Sequence, residues 1–253
     1  MYDRHMATDF ARHVMPVLEQ LLLRTLPAGA AVLDLCCGSG RVTQGLVERG
    51  FRVTGVDSSE PMLRLARHNA PGAELVLADM RSLALPHTYA AIVSTFNALA
   101  HAHTVEDLGQ ALRNAHTALA PGGLMVFDLS MHEQYELRWC GSLCYAGPDA
   151  ACIVRPSYDS SLRLARNDIT IFPRPKHATK SVPTAARSGS PQPGSRKPET
   201  HSLTILQKCH TESEVRHALT DSGFPKIESF DAERDLGMTG ESGRRFFRAT
   251  RAA

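Results

Sequence analysis

Much of what narrows this chain is what it does not contain. No stretch of eighteen apolar residues occurs, so no membrane-spanning helix is predicted. The opening Met1-Tyr2-Asp3-Arg4-His5 runs into mixed polar sequence, which predicts no secretory leader and a cytoplasmic protein. None of the six cysteines (Cys36, Cys37, Cys140, Cys144, Cys152 and Cys209) forms a C-x-x-C pair, and Cys140/Cys144 lacks a matching second pair. No metal site is expected, and the thiols are read as free in a reducing compartment. The phosphate-cradling G-x-x-x-x-G-K-[ST] pattern is absent, as is any internal repeat. A formal charge of +2 implies no global attraction to nucleic acid or to an anionic membrane.

What is present suffices for a sizeable core. With 43% apolar and 21% charged residues, 253 residues suit one large α/β domain or two small ones. Apolar spacing predicts a helix over 6–26, with Pro16 marking a break. A short strand ending at Asp34 follows, then a turn at Gly38 and Gly40 and a helix over 41–49 stopped by Gly50. The next strand ends at Asp57, and Ser58 or Ser59 is expected to cap a helix over 59–69. A third strand, 74–78, ends at Asp79, and a fourth spans 89–96. Thr104 and Asp107 resemble a capping box for a helix that Ala120-Pro121-Gly122-Gly123 stops, before a fifth strand over 124–128. Five alternations with short connections predict a parallel sheet covered on both faces.

After Ser130 the rhythm changes. Strand-like stretches at 162–172 and 201–210 are expected to pair as a long-looped β-hairpin. Between them, residues 173–198 are rich in Pro, Ser, Lys and Arg and are read as a mobile loop. Thr211 and Glu214 form a second capping-box pattern, opening a helix that stops at Gly223, and two strands close the chain. The domain division follows: 1–130 as N-terminal helices and ligand-binding half, 131–211 as an insertion on the substrate side, and 212–253 completing the same domain.

Glycines between a strand and a helix bring backbone N–H groups against a ligand, and in such sheets the ligand lies outside the carboxyl ends of the strands. A dinucleotide turn wants a third glycine, and Thr43 stands in its place. A carboxylate at Asp34 repels a pyrophosphate and welcomes a cation. Taken singly, Asp34 has a structural reading as a helix-dipole partner, Asp57 as an N-cap and Asp79 as a turn former. Ending the first three strands beside a glycine turn, they point jointly to a ligand.

Asp34-Leu35-Cys36-Cys37-Gly38-Ser39-Gly40 resembles the first motif of the class I S-adenosylmethionine-dependent methyltransferases, in a variant with Cys36 replacing the first glycine. Pro121-Gly122-Gly123 resembles the family's turn before its fifth strand, and the likeness covers about residues 30–130. It implies a Rossmann-like, seven-stranded, mostly parallel sheet with a reversed last strand, and S-adenosyl-L-methionine as cofactor. In that family the turn and the acid at Asp34 hold the amino-acid part, the acid at Asp57 grips the ribose, and Asp79 with the Met80 backbone meets the adenine. The cofactor set implied is completed by Tyr2, Cys36, Gly38, Ser39, Gly40, Ser58, Met62, Arg81, Phe96 and Asn97.

Ser94-Thr95-Phe96-Asn97-Ala98-Leu99-Ala100-His101 lacks the [DNS]-P-P-[YFW] signature of enzymes that methylate exocyclic base amines, and no Pro-Cys pair suggests cytosine C5 chemistry. The stretch looks more like small-molecule methyltransferases, including amino-sugar and glycine N-methyltransferases. The expected acceptor is a nitrogen or oxygen of a small organic molecule of specialised metabolism. RNA or protein methylation, supported only by the basic loop, and a non-catalytic cofactor binder are the alternatives. His101 is the candidate base or orienting group, with His103 and His132 behind it. Tyr2, Tyr135, Trp139 and Tyr145 are candidates to line an organic pocket or to shield the sulfonium, with ordinary packing as the competing reading.

Overall fold

The computed structural model describes residues 3–86, 88–174 and 200–253. A π-helical turn over Asp3–Ala7 leads into α1 (Thr8–Leu21), and a 3-10 turn, Leu23–Thr25, follows. The elements then alternate: β1 (Ala31–Leu35), α2 (Arg41–Glu48), β2 (Arg52–Asp57), α3 (Glu60–Asn69), β3 (Glu74–Leu77), β4 (Tyr89–Ser94), α4 (Val105–Ala118) and β5 (Leu119–Ser130). The short α5 (His132–Arg138) precedes four strands, β6 (Leu143–Ala146), β7 (Ala150–Asp159), β8 (Leu164–Pro173) and β9 (His201–Lys208). The chain closes with α6 (Glu212–Asp221), β10 (Lys226–Asp231) and β11 (Arg244–Thr250).

Seven strands form the main sheet in the order β10-β11-β5-β4-β1-β2-β3. β11 runs antiparallel to both its neighbours, while β1–β5 pair in parallel. This is the Rossmann-like, reversed-strand sheet expected from the sequence. The period-two alternation of a strand sorts its side chains between two cores. Leu33 and Leu35 join Ile92, Met125 and Phe127 under α4 and α6, whereas Val32, Val93 and Val126 pack beneath α1 and α2. Asp34 shares the Val32 side by that alternation, which turns it toward α2.

Three expectations need correction. Helix α1 passes through Pro16 without breaking and ends at Leu21, short of 26. Pro16 is exposed, and the buried stripe Phe10, Val14, Val17, Leu18 and Leu21 keeps the helix packed across the missing hydrogen bond. Pro121-Gly122-Gly123 does not stand outside the fifth strand: β5 begins at Leu119, and its pairing jumps from Tyr89↔Leu119 to Ala91↔Leu124, so these residues bulge within it. The insertion is more than a hairpin. β8 and β9 do pair, but β6 and β7 extend them to a four-stranded antiparallel sheet, β6-β7-β8-β9.

Caps follow the sequence unevenly. Thr211 and Glu214 make a reciprocal capping box at α6. At α4 only Thr104 caps, accepting from the Asp107 N–H at 3.0 Å. Neither serine caps α3 through its side chain; Ser59 holds the N-cap position with its own N–H bonded to Asp57. Tyr2 and nearly all of the loop read over 173–198 lie outside the described residues.

Candidate functional site

The carboxyl ends of β1 and β2 lie side by side, with Asp34 in register with Gly55 and Leu35 with Val56. The turn after β1 is left-handed at Cys36 (φ 63°), Gly38 (φ 55°) and Gly40 (φ 78°). Gly40 has a second reason to lack a side chain, because an added Cβ would stand 2.9 Å from the Ala66 Cβ of α3. Cys36 is the exception in carrying a Cβ at such an angle, and its Sγ lies 3.6 Å from the Met80 Sδ. Burial, and next the negative charge of Asp57, pushes the Cys36 thiol far up, so it stays un-ionised at neutral pH.

Asp34 is buried, and the Thr43 hydroxyl donates to its Oδ2 at 2.6 Å. Burial pushes its carboxyl up to about 7, against the hydrogen bond from Thr43, with the nearby Asp57 charge adding to the rise. Asp57 accepts the Gly38 N–H at Oδ2 and the Ser59 N–H at Oδ1, each at 2.8 Å. It therefore braces the glycine turn and the start of α3 at once. Among the described residues, no basic side chain pairs with Asp34 or Asp57. Two uncompensated carboxylates at adjacent strand ends beside a left-handed turn suit a cationic ligand, and they would oppose an anionic one.

Asp79, beyond β3, is different. Its Oδ1 accepts the Arg81 N–H and Nε, and its Oδ2 accepts Nη2, so the guanidinium holds this carboxyl below the usual range. Met80 is buried, Met62 half-buried and Ser58 exposed at the start of α3. Ser39 is buried in the turn, and its carbonyl accepts from Asn69 Nδ2 at 2.8 Å. The same amide donates to Asp3, which Arg41 also grips at 2.8 and 2.6 Å. The N-terminal segment is thus fastened to the glycine turn.

Beyond β4 the chain turns sharply. Phe96 (φ 65°) and Asn97 (φ 61°) are both left-handed without being glycine. Such a conformation costs an ordinary residue about 1–2 kcal/mol. Their N–H groups donate to Oδ1 and Oδ2 of the buried Asp128 at 2.7 and 3.0 Å, and Arg244, at the start of the adjacent strand β11, pairs with that carboxylate. A 3-10 turn, Ala98–His101, follows. His101 reaches solvent, but the protein around its ring and the neighbouring His103 hold its pKa below the ordinary imidazole value. The Asp57 charge acts on it in the opposite direction. His103 donates to the Leu206 carbonyl of β9 at 3.2 Å, and the buried His210 donates to the Ala102 carbonyl at 2.8 Å. These contacts bring the second sheet against the turn that carries His101.

The remaining candidates separate. His132 lies 3.0 Å from the Tyr158 hydroxyl and 3.1 Å from Glu136. Tyr135 is fully buried between Trp139 (ring centroids 4.5 Å) and Tyr158 (5.2 Å, stacked), so packing accounts for this pair of candidates. Tyr145 sits half-buried on β6. Sequence reasoning missed Asp128, although it ends an apolar run as Asp34, Asp57 and Asp79 do. Arg244, Asn69 and Asp3 carried no such signal. Among the described residues no cluster of His, Cys, Asp and Glu could hold a metal ion, and no helix is long and apolar enough to cross a membrane.

Residues 32–123 match the family model described as a methyltransferase domain, and the chain has the class I S-adenosylmethionine-dependent methyltransferase fold. Over 120 residues it is 32% identical to a dTDP-3-amino-3,4,6-trideoxy-α-D-glucopyranose N,N-dimethyltransferase from Streptomyces venezuelae, covering 47% of this chain and 50% of the relative. A malonyl-[acyl-carrier protein] O-methyltransferase from Salmonella typhimurium is 37% identical over 126 residues, covering 50% and 47%. The chain spans about half the length of the curated relatives it matches. In three dimensions, Streptomyces venezuelae DesVI superposes with a TM-score of 0.75 at 22% identity, covering 99% of this chain and 95% of its own.

Proposed function

We propose that this chain is an S-adenosyl-L-methionine-dependent methyltransferase acting on a nitrogen or oxygen of a small organic molecule of specialised metabolism. The observation that carries the reading is the pair Asp34 and Asp57, uncompensated by any basic side chain among the described residues and set beside the left-handed glycine turn. The cofactor is a sulfonium with an ammonium group, and it supplies an electrophilic methyl carbon. Gly38, Ser39 and Gly40 with Asp34 hold its amino-acid end, Asp57 and Ser58 its ribose, and Asp79, Met80, Arg81 and Met62 its adenine. Cys36 lends backbone at the turn, and Phe96 and Asn97 flank the methyl group.

In-line transfer needs the nucleophile held in line and water kept out, and this alone removes much of the barrier. The second sheet, tied by Leu206 to His103, supplies a cover over that junction. His101 orients the acceptor or takes its proton; a pKa below the ordinary value keeps it neutral, and thus able to accept, at pH 7. By name the two relatives are an N,N-dimethyltransferase and an O-methyltransferase, which is why both acceptor atoms stand in the proposal. Calorimetric titration with S-adenosylmethionine, followed by a screen of small amines, alcohols and carboxylic acids with methyl-labelled cofactor, tests it. Binding and label transfer to a small acceptor are expected. Absence of binding overturns the reading, and label found only on RNA or protein overturns the acceptor class.

A further inference from the structure

Two adjacent residues that are not glycine, both in the left-handed region, form an expensive turn. Phe96 is the harder case, since a bulky side chain rarely takes φ 65°. The turn persists because one buried carboxylate over-determines it. Asp128 is wholly buried and uses one oxygen for the Phe96 N–H and the other for the Asn97 N–H. Its charge is balanced by Arg244, which is itself held by Glu241 at 2.7 Å and lies over the Phe10 ring at 5.2 Å. The side chains of the turn are then committed in two directions. Phe96 packs against Phe10 of α1 with centroids 4.4 Å apart and the rings tilted by 31°, and the two line an open cleft of about 220 Å³ with Met6, Met238 and Glu241. Asn97 accepts the Ser130 N–H at 2.9 Å and donates to the Tyr135 hydroxyl at 2.8 Å. Tyr135 in turn stacks on Tyr158 of β7 in the second sheet.

We propose that the Asp128–Arg244 pair is a positioning device: it holds the Phe96–Asn97 turn in its strained shape against the cofactor, and Asn97 passes that order through Tyr135 to the second sheet. The inference rests on the reading of this sheet edge as the cofactor site. Neither Asp128 nor Arg244 touches the reacting atoms; both act through the turn. Two features separate this from plain core stability. The carboxylate bonds the two strained N–H groups and not a regular ladder position, and a turn needed only for chain reversal is made at no such cost by glycine.

The test is S-adenosylmethionine affinity read against melting temperature, on the full chain. Asp128→Asn keeps the volume but leaves one of the two N–H groups facing a donor. It is expected to weaken cofactor binding about tenfold, the scale on which losing a conformation that costs roughly this much acts. Leu219→Ala, on the buried face of α6, is the control and is expected to lower the melting temperature with affinity within twofold. Phe96→Gly removes a side chain that flanks the cofactor and costs affinity by itself, but it is expected to cost less when added to Asp128→Asn than in the unsubstituted protein, because glycine takes the left-handed angle without the help of the carboxylate. Such coupling in a double-mutant cycle is not produced by general destabilisation. Should Asp128→Asn fail to fold, Tyr135→Phe removes only the hydroxyl that Asn97 meets; it lowers the melting temperature by stranding the Asn97 amide, but unlike Leu219→Ala it is expected to weaken binding severalfold as well. The inference is overturned if Asp128→Asn, or in its place Tyr135→Phe, leaves affinity within twofold, or if the cycle is additive. Failure of the unsubstituted protein to bind S-adenosylmethionine overturns instead the reading of the site beneath it.

Discussion

Thr43 donates its hydroxyl to Oδ2 of Asp34 at 2.6 Å from the first turn of α2. The relationship joins two features that the sequence presents separately. Thr43 occupies the place where a dinucleotide turn has its third glycine, and Asp34 is the acid that a pyrophosphate would not tolerate. In the fold the first holds the second. A glycine at 43 would leave a fully buried carboxyl with no side-chain donor, and so the threonine belongs to the acid and marks the turn as one built for a cation.

Thr43→Val tests that bond with little change of shape. The variant is expected to lose about 1–3 kcal/mol of stability, the cost of stranding a buried acceptor, and to melt at a lower temperature. Thr43→Ser restores the hydroxyl and is expected to recover most of the loss. Thermal unfolding followed by circular dichroism reads both, and equal melting temperatures for valine and threonine would remove the hydroxyl from the account.

A second expectation concerns protons. With its carboxyl pushed by burial up to about 7, well above the ordinary carboxylate range, Asp34 binds a proton more tightly in the fold than in the unfolded chain. Its contribution to the stability of the unliganded protein is therefore present at acid pH and is lost as pH rises through about 7. A cationic ligand favours the ionised form, so cofactor affinity is expected to rise with pH up to about 7 and then level. Binding at pH 6 should release a proton, seen as a dependence of the calorimetric enthalpy on the ionisation heat of the buffer. Asp34→Asn abolishes that dependence if Asp34 is the group responsible.

How much of this could be read without coordinates differs from element to element. The glycine turn and the acids at the ends of β1 and β2 and just beyond β3 were legible because each lies next to a short apolar run, and local pattern places local structure. Seven strands and a reversed β11 came through resemblance and hold in the fold. β6 and β7 were not legible: Leu143–Ala146 is too short to show a period, and β7 mixes Pro156, Arg155 and Ser157 into its pattern. The clamp on Phe96 and Asn97 was hidden for another reason. Its carboxylate is 32 residues away from Phe96 and its guanidinium 116 residues from Asp128, and no window of sequence joins them.

His101→Ala separates catalysis from binding. If the imidazole orients the acceptor or takes its proton, turnover is expected to fall on the order of 100-fold, within the usual range for general base catalysis, while cofactor affinity stays the same. The pH profile of the native enzyme sharpens the assignment. Because His101 titrates below its ordinary value of 6.5, activity is expected to fall only on the acid side of that value, as the ring gains a proton. An unchanged rate in the alanine variant, once an acceptor is in hand, removes His101 from the mechanism.

The last expectation concerns how the cofactor enters and leaves. Asp3 is gripped by Arg41 through two hydrogen bonds and by Asn69 through a third, and Asn69 also holds the Ser39 carbonyl of the glycine turn. The pair is largely shielded, with 24% of the Arg41 side chain and 13% of Asp3 exposed, so it is worth more than a surface ion pair. Hydrogen bonding to Arg41 helps to hold the Asp3 carboxyl below the usual range against the cost of burial, so the latch stays charged through neutral pH. Releasing it frees the N-terminal segment without touching Asp34 or Asp57. Arg41→Ala is therefore expected to speed cofactor dissociation roughly tenfold, with a smaller effect on the rate of association, since differences within one site fall mainly on the off-rate. Stopped-flow displacement of S-adenosylmethionine by excess S-adenosylhomocysteine measures it. An off-rate unchanged in Arg41→Ala would show that the segment does not cover the site, and Asp3→Asn, which keeps the shape but not the charge, should fall between the variant and the native protein.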